Sequence, residues 1–386
     1  MMRRRIIIGH PRFGRGGSEA VAMWLVEALK DDHDVTVLTT GGWDLPELNA
    51  LYGTQVNAEE VKVRIAPIPW PARRLDAAAL RAACFQRFAR RVAEEYDIRI
   101  SAYNLTDWGL AAIHFIADFS WCQQVRERFD PITPGFIYRN SWLRWIYLDI
   151  AERYQNLSGR DPLREDKIIA NSHWTAELMR KVCEVEVAAV VYPPVCSEFP
   201  KVTWQGKENA FVMIGRIAPE KRIEEAIAIL AAVRQRGHAI RLHLCGQIGA
   251  DSYGRKVAAL YQNHADWIIP EGFVTGDRKA EILARCRYGI QTRSAEPFGI
   301  SVAEMIHSGA IVFAPNDGGQ AEILDHPRLL FSDRSEAVEA ISAVLESAAL
   351  QDKLRTHLSA QAKRFSAEQF ARDACRCISA STEVYV

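Results

Sequence analysis

The stretch CRYGIQTRSAEPFGISVAEMIHSG, residues 286–309, predicts a strand, a turn and a helix in immediate succession. Its apolar run Cys286–Thr292 is typical of a buried strand, and Ile300–His307 is typical of a helix that ends at the following Ser-Gly pair. Glu296 lies in the turn and Glu304 lies in the helix, eight positions later. Because both lie close to the end of one strand, the two carboxylates can face a single ligand. Taken alone, the pair fits a surface-loop Glu and an ordinary helix Glu better.

The turn between this strand and this helix predicts an anion site. Phe298, Gly299 and Ile300 occupy the turn and the helix start, where backbone N–H groups have no partner within the helix. Such groups suit an anion, for example a diphosphate. Glu296 can accept hydrogen bonds from sugar hydroxyls, and Glu304 can reach a ribose diol. A sugar nucleotide offers all three groups.

A second stretch places positive charge beside another helix start. The segment GRIAPEK, residues 215–221, follows the apolar strand Ala210–Ile214 and precedes the predicted helix Ile223–Arg234. Arg216 and Lys221 therefore converge on one strand end, where an arginine provides a forked contact to an anion and a lysine provides a point charge. Alone, this segment could also be a solvated turn.

Together the two stretches resemble glycosyltransferase family four, the retaining GT-B enzymes. In that family an arginine and a lysine hold the donor diphosphate, and two glutamates with this spacing hold the sugar and the ribose. The order of the stretches and the Gly318-Gly319 turn after the next strand also agree. The resemblance implies catalytic roles for Arg216, Lys221 and Glu296. It implies donor binding by Gly215, Phe298, Gly299, Ile300 and Glu304.

The resemblance also implies roles for residues outside these stretches. His114, at the end of a strand predicted over 111–117, would contact the donor sugar near the reacting carbon, although a histidine among apolar neighbours is more often a core residue. Gly16 and Gly17 would lie near the donor phosphates or the acceptor. The backbone near Phe273 and Val274 would contact the nucleotide base.

Composition excludes several other classes. The chain has 386 residues, and its 48 Lys and Arg equal its 48 Asp and Glu, so no net charge attracts nucleic acid. The eight cysteines form no Cys-x-x-Cys spacing, which argues against a zinc site and fits a reducing cytosol. No apolar run approaches membrane-spanning length. We therefore expect a cytoplasmic protein, either soluble or peripheral at the inner face of the membrane.

Strands and helices alternate along the whole chain. The first unit begins with the strand Arg5–Gly9, the helix Ser18–Leu29 and the strand Asp34–Thr39, and a second unit begins at Ala210 after a polar segment, Cys196–Glu208, that suggests a hinge. We expect an α/β protein of the GT-B type, with two doubly wound, Rossmann-like parallel sheets facing a cleft. The predicted domains are 1–200 on the acceptor side, 201–366 for the donor nucleotide, and a final helix, 367–386, that returns to the first domain.

The same sequence argues against two other ligands, a nicotinamide cofactor and a divalent metal. The loop FGRGGSE, residues 13–19, lacks the third glycine of a dinucleotide fingerprint, and no acidic residue closes the next strand, so a nicotinamide cofactor is not expected. Asp32-His33-Asp34 matches the metal-binding Asp-x-Asp of other glycosyltransferases but lies in a helix-to-strand loop. We expect no cofactor and no divalent metal.

The resemblance therefore implies a retaining hexosyltransferase that uses a sugar nucleotide and a saccharide or lipid-linked saccharide acceptor. Gly9-His10-Pro11, 171–175 and 191–194 resemble mannosyltransferases that elongate lipid-linked oligosaccharides, which favours GDP-mannose and leaves UDP-glucose or another UDP-hexose open. The alternatives are an epimerase or hydrolase of sugar nucleotides on a GT-B fold, and a non-catalytic sugar-nucleotide-binding protein.

Two segments bear on the acceptor. Residues 71–94 combine arginines with apolar residues at helical spacing, which fits either a helix on anionic lipid or a helix whose apolar side packs on the sheet. Trp142, Trp145 and Tyr147 could line an acceptor groove, although aromatic residues in a helix are more often core.

Overall fold

The structure, a computed structural model, describes residues 3–70, 78–129, 141–155, 159–196 and 198–382. The chain divides into two compact units. Unit 1 comprises Met1–Pro194 and Phe370–Val386, and unit 2 comprises Val195–Gln369. The boundaries between the two units lie after Pro194 and after Gln369, within a few residues of the boundaries predicted after residues 200 and 366.

Unit 1 is built on a parallel sheet with the strand order β3-β2-β1-β4-β5-β6-β7. Its strands are β1 (Arg5–Gly9), β2 (Asp34–Thr39), β3 (Val61–Ile65), β4 (Ile98–Ser101), β5 (Ile113–Phe115), β6 (Lys167–Ala170) and β7 (Ala189–Val190). Its helices are α1 (Gly17–Leu29), α2 (Leu45–Tyr52), α3 (Ala78–Val92), α4 (Gln123–Phe129), α5 (Ser141–Gln155), α6 (Pro162–Glu165) and α7 (His173–Cys183). Ile6, Ile7 and Ile8 are fully buried, because a parallel sheet is covered on both faces.

Unit 2 repeats this plan with the strand order β10-β9-β8-β11-β12-β13, also parallel. Its strands are β8 (Glu208–Ile214), β9 (Arg241–Cys245), β10 (Ile268–Gly272), β11 (Cys286–Ile290), β12 (Ile311–Pro315) and β13 (Leu330–Phe331). Its helices are α8 (Ile223–Gln235), α9 (Ser252–Gln262), α10 (Gly276–Arg285), α11 (Ile300–His307), α12 (Gly319–Leu324), α13 (Arg334–Glu346) and α14 (Ala348–Ala362). The prediction of an α/β protein with two Rossmann-like parallel sheets is therefore confirmed.

The last helix, α15 (Ala367–Thr382), packs within unit 1 from Phe370 onward. The ring of Phe370 lies 6.2 Å from that of Phe115 in β5. The Lys167 ammonium at the start of β6 donates a hydrogen bond to the Cys377 carbonyl at 2.8 Å. These contacts complete unit 1 with residues from the end of the chain.

Most predicted elements have nearly the predicted bounds, and the differences have local causes. The strand predicted over 286–292 ends at Ile290. The Gln291 N–H still donates to the Phe313 carbonyl of β12 at 2.9 Å, but the Thr292 N–H donates to the Gln291 side-chain oxygen at 2.9 Å, so the backbone leaves the sheet there. The strand predicted over 111–117 shortens to β5. Within the predicted hinge, Lys207 is buried and its ammonium donates to the Ser308 carbonyl at 2.8 Å, so this part belongs firmly to unit 2.

The strand orders define one topological switch point in each unit. In unit 2 the chain builds outward from β8 to β10 and then returns to pair β11 with β8. In unit 1 it builds from β1 to β3 and then returns to pair β4 with β1. Ligands of open parallel sheets bind outside the carboxyl ends of the strands at such points. The loops after β8 and β11, and those after β1 and β4, are therefore the places to look for sites.

Candidate functional site

The loops after β8 and β11 meet in an ion pair at the switch point of unit 2. The Lys221 ammonium lies 2.7 Å from a Glu296 carboxylate oxygen, and both side chains are largely buried, at 13% and 14% exposed. Lys221 ends a 3₁₀ turn, Pro219–Lys221, and Arg222 follows it in the left-handed region at φ +49°. Pairing of β11 with β8 thus brings together two residues that are 75 positions apart.

A further cation, Arg293, lies on the other side of Glu296. Its Nε is 3.6 Å from the same carboxylate oxygen, and its side chain is 9% exposed. Burial alone would raise the pKa of Glu296, but Lys221, Arg293 and Arg216 hold that pKa below its usual value. Sequence reasoning missed Arg293. The sequence feature that could have indicated it is an arginine three positions before Glu296, the first glutamate of the motif.

Arg216 occupies a different environment from Lys221. Its side chain is 76% exposed, and its guanidinium donates to Glu220 at 3.0 Å. Its charge still contributes to the low pKa of Glu296. The site therefore has two fixed cations, Lys221 and Arg293, and one exposed cation on the adjoining loop.

The start of α11 is shaped by glycines where the backbone requires them. Gly299 precedes the helix at φ +105°, and Gly318, at φ +80°, lies so close to the Glu296 backbone that a Cβ there would come within 2.5 Å of its carbonyl oxygen. The Gly319 N–H donates to that carbonyl at 2.8 Å. The Phe298 ring is buried, 5.7 Å from that of Phe365, so only the backbone of Phe298 is available to a ligand here.

The second glutamate of the motif, Glu304, pairs with a residue that sequence reasoning missed. The Lys279 ammonium in α10 lies 2.5 Å from a Glu304 carboxylate oxygen. The loop before α10 carries Phe273, which is exposed, and Val274, which is half-buried. Unit 2 thus places the predicted residues Gly215, Arg216, Lys221, Glu296, Gly299, Ile300 and Glu304 in or beside the loops at the carboxyl edge of its sheet.

His114, the predicted sugar contact, belongs to unit 1 and is fully buried in β5. Its Nε2 is 2.9 Å from the buried Asp166 carboxylate, and its Nδ1 accepts a long bond from the Thr106 N–H at 3.5 Å. These surroundings match those of a core histidine with satisfied hydrogen bonds. Its role toward a donor sugar stays a prediction.

Gly16 and Gly17 mark the start of α1, with Gly16 at the N-cap. The Gly16 N–H donates to the Tyr52 hydroxyl at 3.1 Å, and a Cβ on Gly16 would come within 2.7 Å of a Glu19 carboxylate oxygen. The Glu19 side chain therefore occupies the space beside this glycine. It also accepts a hydrogen bond from the Ser18 hydroxyl at 2.9 Å.

A polar and aromatic cluster lies at the switch point of unit 1, and sequence reasoning did not identify it. His10, directly after β1, is buried, with its Nε2 3.1 Å from the Ser18 hydroxyl and its ring 5.7 Å from that of Tyr103. Burial lowers the pKa of His10 to about 4, so this imidazole is neutral at pH 7. The Tyr103 hydroxyl donates to Asp118 at 2.8 Å, and Asn104 donates to the same carboxylate at 2.6 Å.

The basic segment around α3 packs by its apolar side. Phe85, Ala89 and Val92 are buried in the core of unit 1, and Arg90 pairs with the buried Asp107 at 2.7 Å. Arg73 and Arg74 lie outside the described residues, as do the side chains of Trp142 and Trp145. The Tyr147 hydroxyl accepts a hydrogen bond from the Leu80 N–H at 3.2 Å. None of the helices in the described ranges is long and apolar enough to cross a bilayer.

Comparison with known proteins identifies both halves of the chain. Residues 15–199 match the family Glycosyltransferase Family 4, and residues 197–365 match the family Glycosyl transferases group 1. The chain therefore carries a Family 4 glycosyltransferase domain and a group 1 glycosyltransferase domain. This confirms the family resemblance and the GT-B fold.

Individual relatives are distant. The uncharacterized glycosyltransferase YqgM of Bacillus subtilis is 23% identical over 188 residues, which cover 48% of this chain and 50% of YqgM. The human GDP-Man:Man(3)GlcNAc(2)-PP-Dol alpha-1,2-mannosyltransferase is 24% identical over 259 residues, or 61% of this chain and 53% of the relative. The chain thus spans about half the length of the curated relatives it matches. The structure of Anabaena HepE in complex with UDP and glucose superposes with a TM-score of 0.67 at 15% identity, covering 98% of this chain and all of HepE.

Proposed function

We propose that this protein transfers a hexose from a nucleoside-diphosphate sugar to an acceptor hydroxyl, with retention of anomeric configuration. The observation that carries this proposal is the buried Lys221–Glu296 pair beside the start of α11, at the switch point of unit 2. A cation suits a diphosphate, a carboxylate suits sugar hydroxyls, and one ligand that offers both is a sugar nucleotide. Membership in the glycosyltransferase families supports this reading.

Each residue of the site has a proposed role in binding the donor or in the departure of the diphosphate. Lys221, Arg216 and the N–H groups at the start of α11 neutralise the diphosphate as it leaves, so preorganised positive charge supplies most of the acceleration. Glu296 holds the hydroxyls of the sugar. Glu304, oriented by Lys279, binds the ribose. Because side chains already provide the charge opposite the diphosphate, the reaction is proposed to need no divalent metal.

The donor is proposed to be GDP-mannose. The support is the similarity to mannosyltransferases whose names specify this donor. A UDP-hexose is the other candidate, since the solved structure of HepE contains UDP and glucose. Exposed Phe273 and half-buried Val274 are the proposed contacts to the base.

The acceptor is proposed to bind unit 1 at the cluster of His10, Tyr103 and Asp118. Asp118 accepts hydrogen bonds, Tyr103 adds a ring, and the neutral His10 ring lies nearby, tilted by 57° to that of Tyr103, a combination that suits a saccharide with its many hydroxyls. The strained left-handed backbone of Asn104, at φ +50°, is a further feature that accompanies functional sites. The mannosyltransferase relatives carry a lipid-linked oligosaccharide in their names, which supports a saccharide or lipid-linked saccharide here.

Contact with an anionic membrane is proposed for a different surface from that first expected. The apolar side of α3 packs inward, whereas Ile146 and Ile150 on α5 are exposed, and Arg87 and Arg91 on α3 are exposed as well. α3 and α5 contact each other, so these side chains lie on neighbouring helices. An exposed apolar surface next to arginines suits a peripheral position on anionic lipid, at the cytoplasmic face.

A two-stage experiment tests the transfer. A thermal-shift screen of GDP-mannose, UDP-glucose, UDP-N-acetylglucosamine and UDP-galactose identifies the donor, because a ligand selective for the folded state raises its melting temperature. The selected donor is then incubated with octyl α-mannoside or octyl β-glucoside, and the product is analysed by mass spectrometry and by NMR of the anomeric proton. A donor that binds without any transfer would favour the binding protein. Release of free sugar or its epimer without glycoside formation would favour the hydrolase or epimerase.

A further inference from the structure

Glu296 is held between two cations, and only one of them lies on a phosphate-binding loop. Lys221 approaches the carboxylate from the loop after β8 at 2.7 Å, and Arg293 approaches the same oxygen from the loop after β11 at 3.6 Å. Both cationic side chains are largely shielded from water. Charges in such surroundings interact more strongly than at an exposed surface. Lys221, Arg293 and Glu296 together carry a net charge of +1.

A bound diphosphate would compete for one of these cations. In the proposed function Lys221 has to neutralise the diphosphate, although in this structure it is bonded to Glu296. Arg216 is the other cation on that loop, but it is exposed and paired with Glu220. If Lys221 moves toward the phosphates, Glu296 needs another positive charge, because a buried carboxylate without one takes up a proton.

The backbone at Arg293 is held by contacts that do not depend on a ligand. Its backbone carbonyl accepts a hydrogen bond from the buried Gln320 side chain at 2.7 Å. Ala295, two residues on, has a left-handed backbone at φ +50°, and its N–H donates to Asp317 at 2.8 Å. One contact from Asp317, in the loop after β12, and one from Gln320, in α12, thus hold the backbone of the segment that joins Arg293 to Glu296.

We propose that Arg293 is a positioning residue that keeps the Glu296 carboxylate charged and oriented toward the donor sugar while Lys221 is drawn to the diphosphate. This proposal rests on the proposed function and deepens it. The Arg293 Nε, 3.6 Å from the carboxylate on a nearly buried side chain, keeps a positive charge beside Glu296, whereas a lysine can follow the phosphates as a point charge on a flexible stem. Glu296 can then accept hydrogen bonds from sugar hydroxyls when the diphosphate is already bound.

The charged groups around Glu296 come from three loops of unit 2. Lys221 and Arg216 lie on the loop after β8, and Arg293 lies on the loop after β11. Asp317, on the loop after β12, is engaged by the Ala295 N–H. Replacing Arg293 removes one of the cations that oppose the effect of burial. The pKa of Glu296 should then rise, and most strongly when a nucleotide occupies Lys221.

The first test measures Glu296 directly. Protein with ¹³C-labelled glutamate side chains is titrated by NMR with and without GDP or UDP, and the Glu296 signal is assigned by its loss in Glu296→Gln. In Arg293→Gln with bound nucleotide the midpoint should rise by about one pH unit or more, and Arg293→Lys should restore it in part. The same midpoint in Arg293→Gln and wild type would overturn the proposal, whatever the enzyme transfers.

The second test measures transfer with the donor selected by the screen. Arg293→Gln should lower kcat about tenfold at pH 7 and move the acidic limb of the kcat profile to higher pH, because Glu296 must be ionised. Affinity for GDP or UDP should stay within about twofold of wild type. Arg285→Gln is the matched control, since Arg285 pairs with Glu208 at 2.8 Å elsewhere in unit 2, and its profile should keep the wild-type limb. Wild type that transfers no sugar from any donor would instead overturn the proposed function.

Discussion

In each unit the carboxyl ends of the parallel strands form one edge of the sheet, called here its carboxyl edge. The two carboxyl edges occupy equivalent positions in the fold but differ in chemistry. At the switch point of unit 2, Lys221 and Arg293 surround one carboxylate, so positive charge is in excess. At the switch point of unit 1, His10 is neutral and the polar groups are hydroxyls, an amide and Asp118. Fixed positive charge suits a ligand that carries negative charge, and a cluster of hydroxyls, an amide and a carboxylate acceptor suits hydroxyl groups. One architecture thus carries two carboxyl edges of different chemistry through local side chains alone, and these are the proposed donor and acceptor sites.

The largest expected effect comes from removing the fixed cation of unit 2. Lys221→Ala should lower turnover about a hundredfold or more, because it removes charge opposite the departing diphosphate. Steady-state kinetics with saturating donor measure this. Lys256→Ala, which removes an exposed lysine paired with Glu224 in the same unit, should leave turnover unchanged. Equal turnover in Lys221→Ala and wild type would remove the proposed diphosphate site.

A smaller effect is expected from a substitution in the cluster of unit 1. It should appear in the KM for the acceptor rather than in turnover. Tyr103→Phe removes the hydroxyl that donates to Asp118, which should raise the KM for the acceptor about tenfold. Donor affinity, measured by calorimetry, should not change. Tyr96→Phe is the control, because Tyr96 is another tyrosine of unit 1 but belongs to its apolar core. A rise in donor Kd with unchanged acceptor KM would reverse the assignment of the two edges.

The two glutamates of unit 2 should separate nucleotide binding from transfer. Glu304→Ala should weaken GDP or UDP binding about tenfold, since the variant lacks the carboxylate that is proposed to bind the ribose. Glu296→Gln should leave nucleotide affinity near that of wild type while transfer collapses. Isothermal calorimetry with the nucleotide alone distinguishes them, and Glu281→Ala, an exposed glutamate on α10, provides the control. Loss of nucleotide binding in both site variants would show that the division of roles is wrong.

The smallest expected effect is that of metal removal. Transfer should persist within about twofold in excess EDTA, because in the proposed function Arg216 and Lys221 supply the positive charge that a metal would otherwise supply. The measurement is the rate after dialysis against chelator. Complete loss of transfer that manganese or magnesium restores would contradict a site built on side-chain cations.

The sequence located the elements of the unit 2 site because its chemistry lies in two short segments. A strand, a loop with charged residues and a helix start can be recognised locally, so the positions of Arg216, Lys221, Glu296 and Glu304 at carboxyl ends of strands followed from periodicity. The bounds of α11 agree with the prediction for the same reason. The family resemblance supplied the proposed roles.

The partners of these residues could not be predicted in this way. Glu296 meets Lys221 only because β11 pairs with β8, and Glu304 meets Lys279 only because α10 and α11 adjoin the same strand, β11. Such contacts join segments that are far apart in sequence, and neither periodicity nor composition specifies them.

The sequence by itself determined the alternation of strands and helices, the two parallel sheets and the loops that carry charge. The tertiary structure alone decided which charges face each other: Arg293 against Glu296, Asp118 against Tyr103, and His114 against Asp166 inside the sheet of unit 1. Hydrophobic periodicity is a property of residues that are close in sequence. The burial and pairing of a charged side chain depend instead on which strands, distant in sequence, lie side by side in the sheet.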